Sequence, residues 1–185
     1  LHRKEADIAL RLQRPTEEDL LIRTLAHIRY GFFAHKEYFE STPTNLWQLI
    51  EFQANQRIMN WTNRLVNEHD YHIVLSSNDF YVTYSSVCEK LGIAVLPFFL
   101  ANKDSDLLPV NPITKTIMTA NDIENAEKDY LTDNNFINDD LFSKDKGVEK
   151  AIPLIHSKPL YLVMHPDIRR SARVRVVAEW LGAIF

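Results

Sequence analysis

Between His72 and Pro97 the chain spells out a strand, a cap, a helix and a second strand, and this succession constrains the fold more than any other feature. His72-Ile73-Val74-Leu75 is an apolar run of strand length that enters Ser76-Ser77-Asn78-Asp79. Those four residue types cap helices, because their short side-chain oxygens accept from the unpaired N–H groups of a first turn. Phe80, Tyr84, Val87, Cys88 and Leu91 then fall on one helical face, and Gly92 stands where a terminating glycine belongs. Ile93 to Leu96 is another short apolar run, and Pro97 reads as the first residue of a short helix through Leu100. Strand–helix alternation of this kind predicts α/β architecture.

The flanking sequence extends the pattern. Residues 1–5 read as the last turn of a helix, and with no initial Met an upstream segment is expected. Asp7-Ile8-Ala9-Leu10-Arg11-Leu12 suits a buried strand closed by the turn at Arg14-Pro15. Residues 20–34 carry apolar positions too irregular for a helical stripe and read as one long extended segment crossing between two lobes, with Gly31 as a bend. A short helix is expected at residues 36–40, and Thr42-Pro43 should open another, Thr as N-cap and Pro at the first helical position. Residues 49–52 should be a strand; Trp61 sits in a polar stretch with no assigned element. Residues 111–158 are rich in Asn, Asp and Lys and read as an excursion, either a small subdomain or a mobile loop. Within it, Asn121 with Glu124 resembles a capping box ahead of Ile123, Ala126 and Tyr130. Leu160 to Met164 is a further buried strand. The closing helix, capped by Ser171, should bury Val174, Val177, Leu181 and Ile184.

Composition narrows the function. A formal charge of -4 provides no global field to draw phosphates, so nucleic acid is not expected to bind this chain directly. The single cysteine, Cys88, cannot close an internal disulfide and reads as a small buried hydrophobe, which suits a reducing cytoplasm. No run approaches the ~20 apolar residues of a membrane span, and Leu1-His2-Arg3-Lys4-Glu5 is not a signal peptide. The four glycines lie too far apart for a phosphate-cradling loop, and neither a G-x-S-x-G elbow nor H-E-x-x-H occurs, so an enzyme is not expected.

Three other groups are candidate sites. His69 and His72, with Glu68 and Asp70, could ligate a metal on a helix, but a turn entering a strand would splay them; no metal or cofactor is expected. Arg169, Arg170, Arg173 and Arg175 could contact a phosphate or a partner, although a solvated face with Asp167 as a partner explains them better. Ser76-Ser77-Asn78-Asp79 could seat a carboxylate on a helix N-terminus or could simply cap it.

Several segments, in order, resemble the effector-binding domain of LysR-type transcriptional regulators. Lys4-Glu5-Ala6-Asp7-Ile8-Ala9-Leu10-Arg11 is similar to that family's Glu-Ala-Asp-Ile stretch, and Arg29-Tyr30-Gly31-Phe32-Phe33-Ala34 to its first crossover strand. Leu91-Gly92-Ile93-Ala94-Val95-Leu96-Pro97 resembles its Gly-Ile segment. His165-Pro166-Asp167, Arg173-Val174-Arg175 and Trp180-Leu181 resemble its terminal helix. The resemblance leaves out residues 111–158, and His35-Lys36 stands where relatives usually carry Ser-Pro.

The resemblance implies a type 2 periplasmic-binding-protein-like α/β fold of two lobes: an incomplete lobe I at residues 1–30 and 159–185, and lobe II at residues 31–158 with the insertion 111–158. It implies a cytoplasmic, homo-oligomeric sensor whose small-molecule effector, a carboxylate among the options, binds between lobes and shifts their arrangement. DNA would be contacted only through an N-terminal domain absent from this chain. By position, Arg11, His35, Phe52, Gln53, Ser76, Asn78 and Asp79 would face the effector. Two alternatives share the fold: a solute-binding protein serving a transporter, and an oligomerisation module that binds no ligand.

Overall fold

A computed structural model of the 185-residue chain describes residues 6–17, 19–53, 61–132, 152, 154–168 and 171–184. The expected helical turn at residues 1–5, residues 133–151 of the expected excursion, and Arg169 and Arg170 lie outside the described residues. Contacts divide the chain into two units, Leu1–Ile28 with Ser157–Phe185, and Arg29–His156.

The larger unit is organised by strands buried on both faces. β2 (Leu21–His35) enters it from residue 29 and pairs antiparallel with β5 (Ala94–Pro97) and with β6 (Leu107–Asn111), which in turn pairs with β7 (Thr116–Ile117). β3 (Gln48–Phe52) runs parallel to β4 (His72–Ser77), and Ile93 joins β3 through hydrogen bonds with Ile50 and Gln48. Successive strand residues point to opposite faces. Thus Phe32, Leu49 and Ile93 enter one core cluster with Tyr38, Trp47, Leu65, Tyr71 and Val110. Their chain neighbours Phe33, Ile50 and Ala94 enter a second cluster with Val87, Leu96, Phe98 and Leu107. This double burial is why these segments read as continuous apolar runs instead of alternating ones.

Helices cover the two faces. α2 (Trp61–His69) supplies Leu65 and Val66 to the first cluster. α3 (Phe80–Cys88), α4 (Phe98–Ala101) and α5 (Ala120–Thr132) supply residues to the second. α1 (Lys36–Ser41) continues directly from β2, with His35 as its N-cap. Each fully buried Phe or Leu in these clusters contributes on the order of 1.5–3 kcal/mol relative to exposure.

In the smaller unit β1 (Ile8–Arg11) pairs antiparallel with β8 (Ile155–Met164), from Ile8 opposite Met164 to Arg11 opposite Tyr161. β8 lies between β1 and β2 in strand order. Leu160, Leu162, Val163 and Val174 form its buried apolar set, the last from α6 (Ala172–Ile184).

Several local expectations need correction. The helix predicted to run to Leu91 ends at Cys88, because Lys90 takes the left-handed conformation (φ 63°), and Leu91 is exposed. Gly92 has a different role from the expected helix stop: a Cβ there would lie 2.7 Å from the Gln48 carbonyl oxygen, so only glycine lets this segment lie against β3. Gly31 lies within β2, opposite Leu96, and makes room for the Phe98 ring instead of bending the chain. Thr42 is extended and ends α1, and the chain after Pro43 forms a 3-10 turn, Thr44–Leu46, not a new α-helix. The polar stretch after Trp61 is helical. The capping box before α5 is formed by Thr119 and Asp122, not by Asn121 and Glu124: the Thr119 N–H and hydroxyl both donate to the Asp122 carboxylate, at 2.8 and 2.7 Å. α5 packs on the second core cluster through Ile123 and Ala126, so this part of the 111–158 stretch is neither a separate subdomain nor a loop. Of the face expected to be buried on α6, Val174 is buried, Leu181 is half-buried, and Val177 and Ile184 are exposed.

Candidate functional site

The carboxyl ends of β3 and β4 and the start of α3 form a polar and aromatic cluster in the larger unit. Parallel pairing brings Glu51 beside Ser76 and Phe52 beside Ser77. The Ser76 hydroxyl donates to Glu51 Oε2 at 2.7 Å; the Gln53 amide nitrogen lies 3.4 Å from the same oxygen, and the Thr62 hydroxyl 3.5 Å from Oε1. Gln53 extends the strand register, its backbone N–H donating to the Ser77 carbonyl at 2.7 Å. Phe52 meets Phe80, the first residue of α3, edge to face with ring centroids 5.3 Å apart. Glu51 thus acts as an acceptor hub, and hydrogen bonds to a charged acceptor are stronger than neutral ones.

Asp79 closes the N-terminus of α3. Its Oδ1 accepts from the N–H of Tyr81 at 2.7 Å and from that of Val82 at 3.4 Å, while its own N–H donates to Ser77 Oγ at 3.0 Å. The N–H groups that could have held a ligand carboxylate are therefore held by the protein's own carboxylate, and Asn78 beside them is exposed with no hydrogen bond of its side chain to another described residue. Phe52, Gln53, Ser76, Asn78 and Asp79 are brought into one neighbourhood.

His35 stands in another network of the same unit. It is buried, its Nδ1 accepts from the Glu37 N–H at 3.2 Å, and its Nε2 lies 3.8 Å from Asp106 Oδ2. Lys36 pairs with Asp106 at 2.7 Å, and Lys90 pairs with Glu37. The hydrogen bond and charge of Lys36 hold the Asp106 carboxyl below its ordinary range, and Asp106 in turn raises the Lys36 ammonium. None of these contacts is shared with the Glu51 cluster. Arg11 belongs to the smaller unit, where its guanidinium lies 3.9 Å from Glu17 and its side chain is exposed.

Glu51, Thr62 and Phe80 are the members of the cluster that sequence reasoning missed. The one available signal was Glu51 itself, a carboxylate inside an apolar strand run. His69 and His72 end α2 and begin β4 with Asp70 in a left-handed conformation between them, and no group of metal-ligating side chains occurs among the described residues. Arg173 reaches Asp7 at 3.4 Å, and Asp167 lies 3.5 Å from His165. Cys88 is half-buried, with Sγ 3.9 Å from Asp104, and burial raises its thiol pKa. No helix among the described residues is long and apolar enough to cross a membrane.

No family model and no curated protein matches the sequence. Solved structures do match. The CrgA regulatory domain, a LysR-type transcriptional regulator from Neisseria meningitidis, superposes with a TM-score of 0.59 at 18% identity over 96% of this chain and 74% of that one. The regulatory domain of an AphB variant from Vibrio vulnificus matches with a TM-score of 0.59 at 14% identity, over 100% of this chain and 78% of that one. Full-length LysG from Corynebacterium glutamicum, solved with bound effector Arg, matches with a TM-score of 0.54 at 10% identity, over 98% of this chain and 51% of that one. This chain therefore spans about three quarters of those regulatory domains and about half of the full-length regulators. At such identities the likeness is one of fold: the chain has the α/β, periplasmic-binding-protein-like fold of LysR-type regulatory domains.

Proposed function

We propose that this chain, on the fold of a LysR-type regulatory domain, is the effector-sensing part of a transcriptional regulator and performs no catalysis. The observation that carries the reading is the coincidence of that fold with a polar and aromatic cluster at the carboxyl ends of parallel strands, where ligands of open α/β sheets bind. The effector would be a small polar molecule held by Asn78, Gln53 and Ser76 with Phe52 as an apolar wall. Because Asp79 already occupies the start of α3, a carboxylate effector would have to find its donors in side chains. Binding acts by favouring one arrangement of the protein over another, and its reach is set by the difference in affinity for the two. The protein would work in the cytoplasm as a homo-oligomer, with DNA contacted by a separate domain. What supports a further domain is coverage: the chain spans 52% of CrgA and 51% of full-length LysG, both LysR-type regulators.

The test is a thermal-shift and calorimetric screen with small carboxylates, amino acids and amines, then the same measurements on Asn78→Ala and Gln53→Ala. A ligand whose stabilisation is lost in Asn78→Ala and Gln53→Ala supports the reading. Variants that respond like the parent show that the effector does not bind at these strand ends. No response to any compound favours the ligand-free oligomerisation module.

A further inference from the structure

We propose, on the basis of the effector-sensing reading, that the molecule seated at the carboxyl ends of β3 and β4 is an organic cation whose ammonium or guanidinium N–H groups donate to Glu51. The donors at these strand ends are already engaged. Ser76 Oγ donates to Glu51 Oε2 at 2.7 Å, and the Gln53 amide nitrogen lies 3.4 Å from the same oxygen. The N–H groups at the start of α3 that a ligand anion would take are held by Asp79, at 2.7 and 3.4 Å. Acceptors remain. A carboxylate has about four lone-pair positions on its two oxygens. Among the described residues Glu51 Oε1 meets one donor, the Thr62 hydroxyl at 3.5 Å, outside the roughly 2.5–3.0 Å of a well-formed O–H···O bond. The exposed Asn78 amide can serve in either sense. A ligand that completes this set brings donors, whereas a carboxylate would add acceptors to acceptors.

Charge gives the same sign. The donors around Glu51 are all neutral, and among the described residues no Lys, Arg or His forms an ion pair with Glu51 or Asp79. Lys36, Lys90 and Arg64 pair instead with Asp106, Glu37 and Glu68. Asp79 is offset by the positive end of the α3 dipole, but half-buried Glu51 has no such compensation. An arriving cation gains a charge-assisted bond there, and an arriving anion is repelled. Alternation along β3 sets the shape of the ligand. Leu49 and Glu51 face α2, with Leu65 in the same core cluster as the first and Thr62 beside the second. Ile50 and Phe52 face α3, with Val87 and Phe80. The strand end therefore has a polar side, made of Glu51, Gln53, Ser76 and Thr62, and an apolar side, made of the half-buried Phe52 and Phe80. A cation on a short alkyl stem matches both, its N–H groups on Glu51 and its methylenes across the strand end toward Phe52.

The test is calorimetry on the whole 185-residue chain at constant ionic strength with four probes of similar size: butylammonium, butylguanidinium, butanol and butyrate. Amide NMR shifts of Gln53, Ser76 and Ser77 report whether binding is at the strand ends. At least one cation should bind saturably, shift those amides and bind at least about tenfold tighter than butanol and butyrate, an advantage of about 1.4 kcal/mol. The tighter of the two cations identifies the head group. Glu51→Gln should weaken that cation at least tenfold. Glu89→Gln, which removes the same charge from an exposed position at the end of α3, should bind it like the parent. Gln53→Lys, at an exposed position, places a tethered ammonium beside Glu51 and should abolish cation binding in a chain that circular dichroism shows folded, which keeps the test decisive if Glu51→Gln unfolds. Butyrate that shifts these amides while neither cation binds overturns the cation and leaves the effector-sensing reading standing. A cation bound as tightly by Glu51→Gln and Gln53→Lys as by the parent overturns it too. If no probe moves these amides up to about 50 mM, a concentration suited to ligands this small, the cation is refuted. The effector-sensing reading falls with it only if the wider screen of carboxylates, amino acids and amines is silent as well.

Discussion

The Ser76 hydroxyl donates to Glu51 Oε2 at 2.7 Å, tying the exit of β4 to the exit of β3 by a bond between a neutral donor and a charged acceptor. Replacing Glu51 by Ala removes this acceptor together with those of Gln53 and Thr62. Chemical denaturation should show a loss of about 1–3 kcal/mol, since hydrogen bonds to a charged group are worth roughly that much. Glu51→Gln, which keeps an acceptor oxygen, should lose less. Equal stability of Glu51→Ala and the parent would show that the hub contributes nothing.

Asp79 caps α3 through the N–H groups of Tyr81 and Val82. Asp79→Ala should cost about 1 kcal/mol, the usual loss of a side-chain N-cap, and Asp79→Ser should restore most of it. The same substitutions leave the helix N-terminus without its resident carboxylate, so they should strengthen any binding of acetate or other small carboxylates measured by calorimetry. Weaker carboxylate binding in Asp79→Ser would show that Asp79 does not compete for that position.

Gly92 lies against β3 with no room for a side chain, a Cβ there falling 2.7 Å from the Gln48 carbonyl oxygen and 3.3 Å from its carbon. Because the obstruction is backbone, Gly92→Ala should destabilise by about 1–3 kcal/mol, the usual range for overpacking. Thermal unfolding measures this, and a melting temperature equal to the parent's would show that the strand moves aside freely.

Lys36 and Asp106 set the pH behaviour of the network beside His35. The Asp106 pKa is lowered from its ordinary 3.8, first by the hydrogen bond from Lys36, so its contribution to stability is present above pH 3.8 and is lost as pH falls through the lower folded-state value. Lys36 is raised from 10.5 by the same partner, so its contribution is complete below pH 10.5 and is lost as pH rises through its higher folded-state value. Between those limits the pair should contribute a flat term to stability. Lys36→Met should move the Asp106 titration, monitored by carboxyl NMR, up toward 3.8, and an unmoved titration would contradict the pairing.

The burial that raises the Cys88 pKa should leave it as a thiol at neutral pH. Reaction with a disulfide reagent at pH 7 should be at least about tenfold slower than for an unhindered cysteine, since the thiolate is the nucleophile. Rapid modification of the folded chain would refute this.

Element types could be read from the residues wherever burial and local chemistry agree. The apolar segment at Ala94 and the end of β2 were legible because a strand buried on both faces must be apolar throughout, and the capped helix from Phe80 because a helix start needs an acceptor; the strand at His72 was legible from its β-branched and apolar run although Ile73 and Val74 are partly exposed. Helix ends, caps and exposed faces were decided elsewhere. α3 stops short of Lys90, not at Gly92, because Gly92 must lie against the Gln48 backbone, a contact between residues far apart in sequence. The cap of α5 falls at Thr119 because packing of Ile123 and Ala126 sets the phase of that helix. α2 left no clear signal because, among its described side chains, two apolar ones, Leu65 and Val66, reach the first core cluster from a polar sequence. The composition of the Glu51 cluster, the separate network of His35, and the choice of which apolar stripe of α6 is buried depend on which strands and helices become neighbours. No periodicity along the chain encodes that, because the physical selection is made by long-range packing.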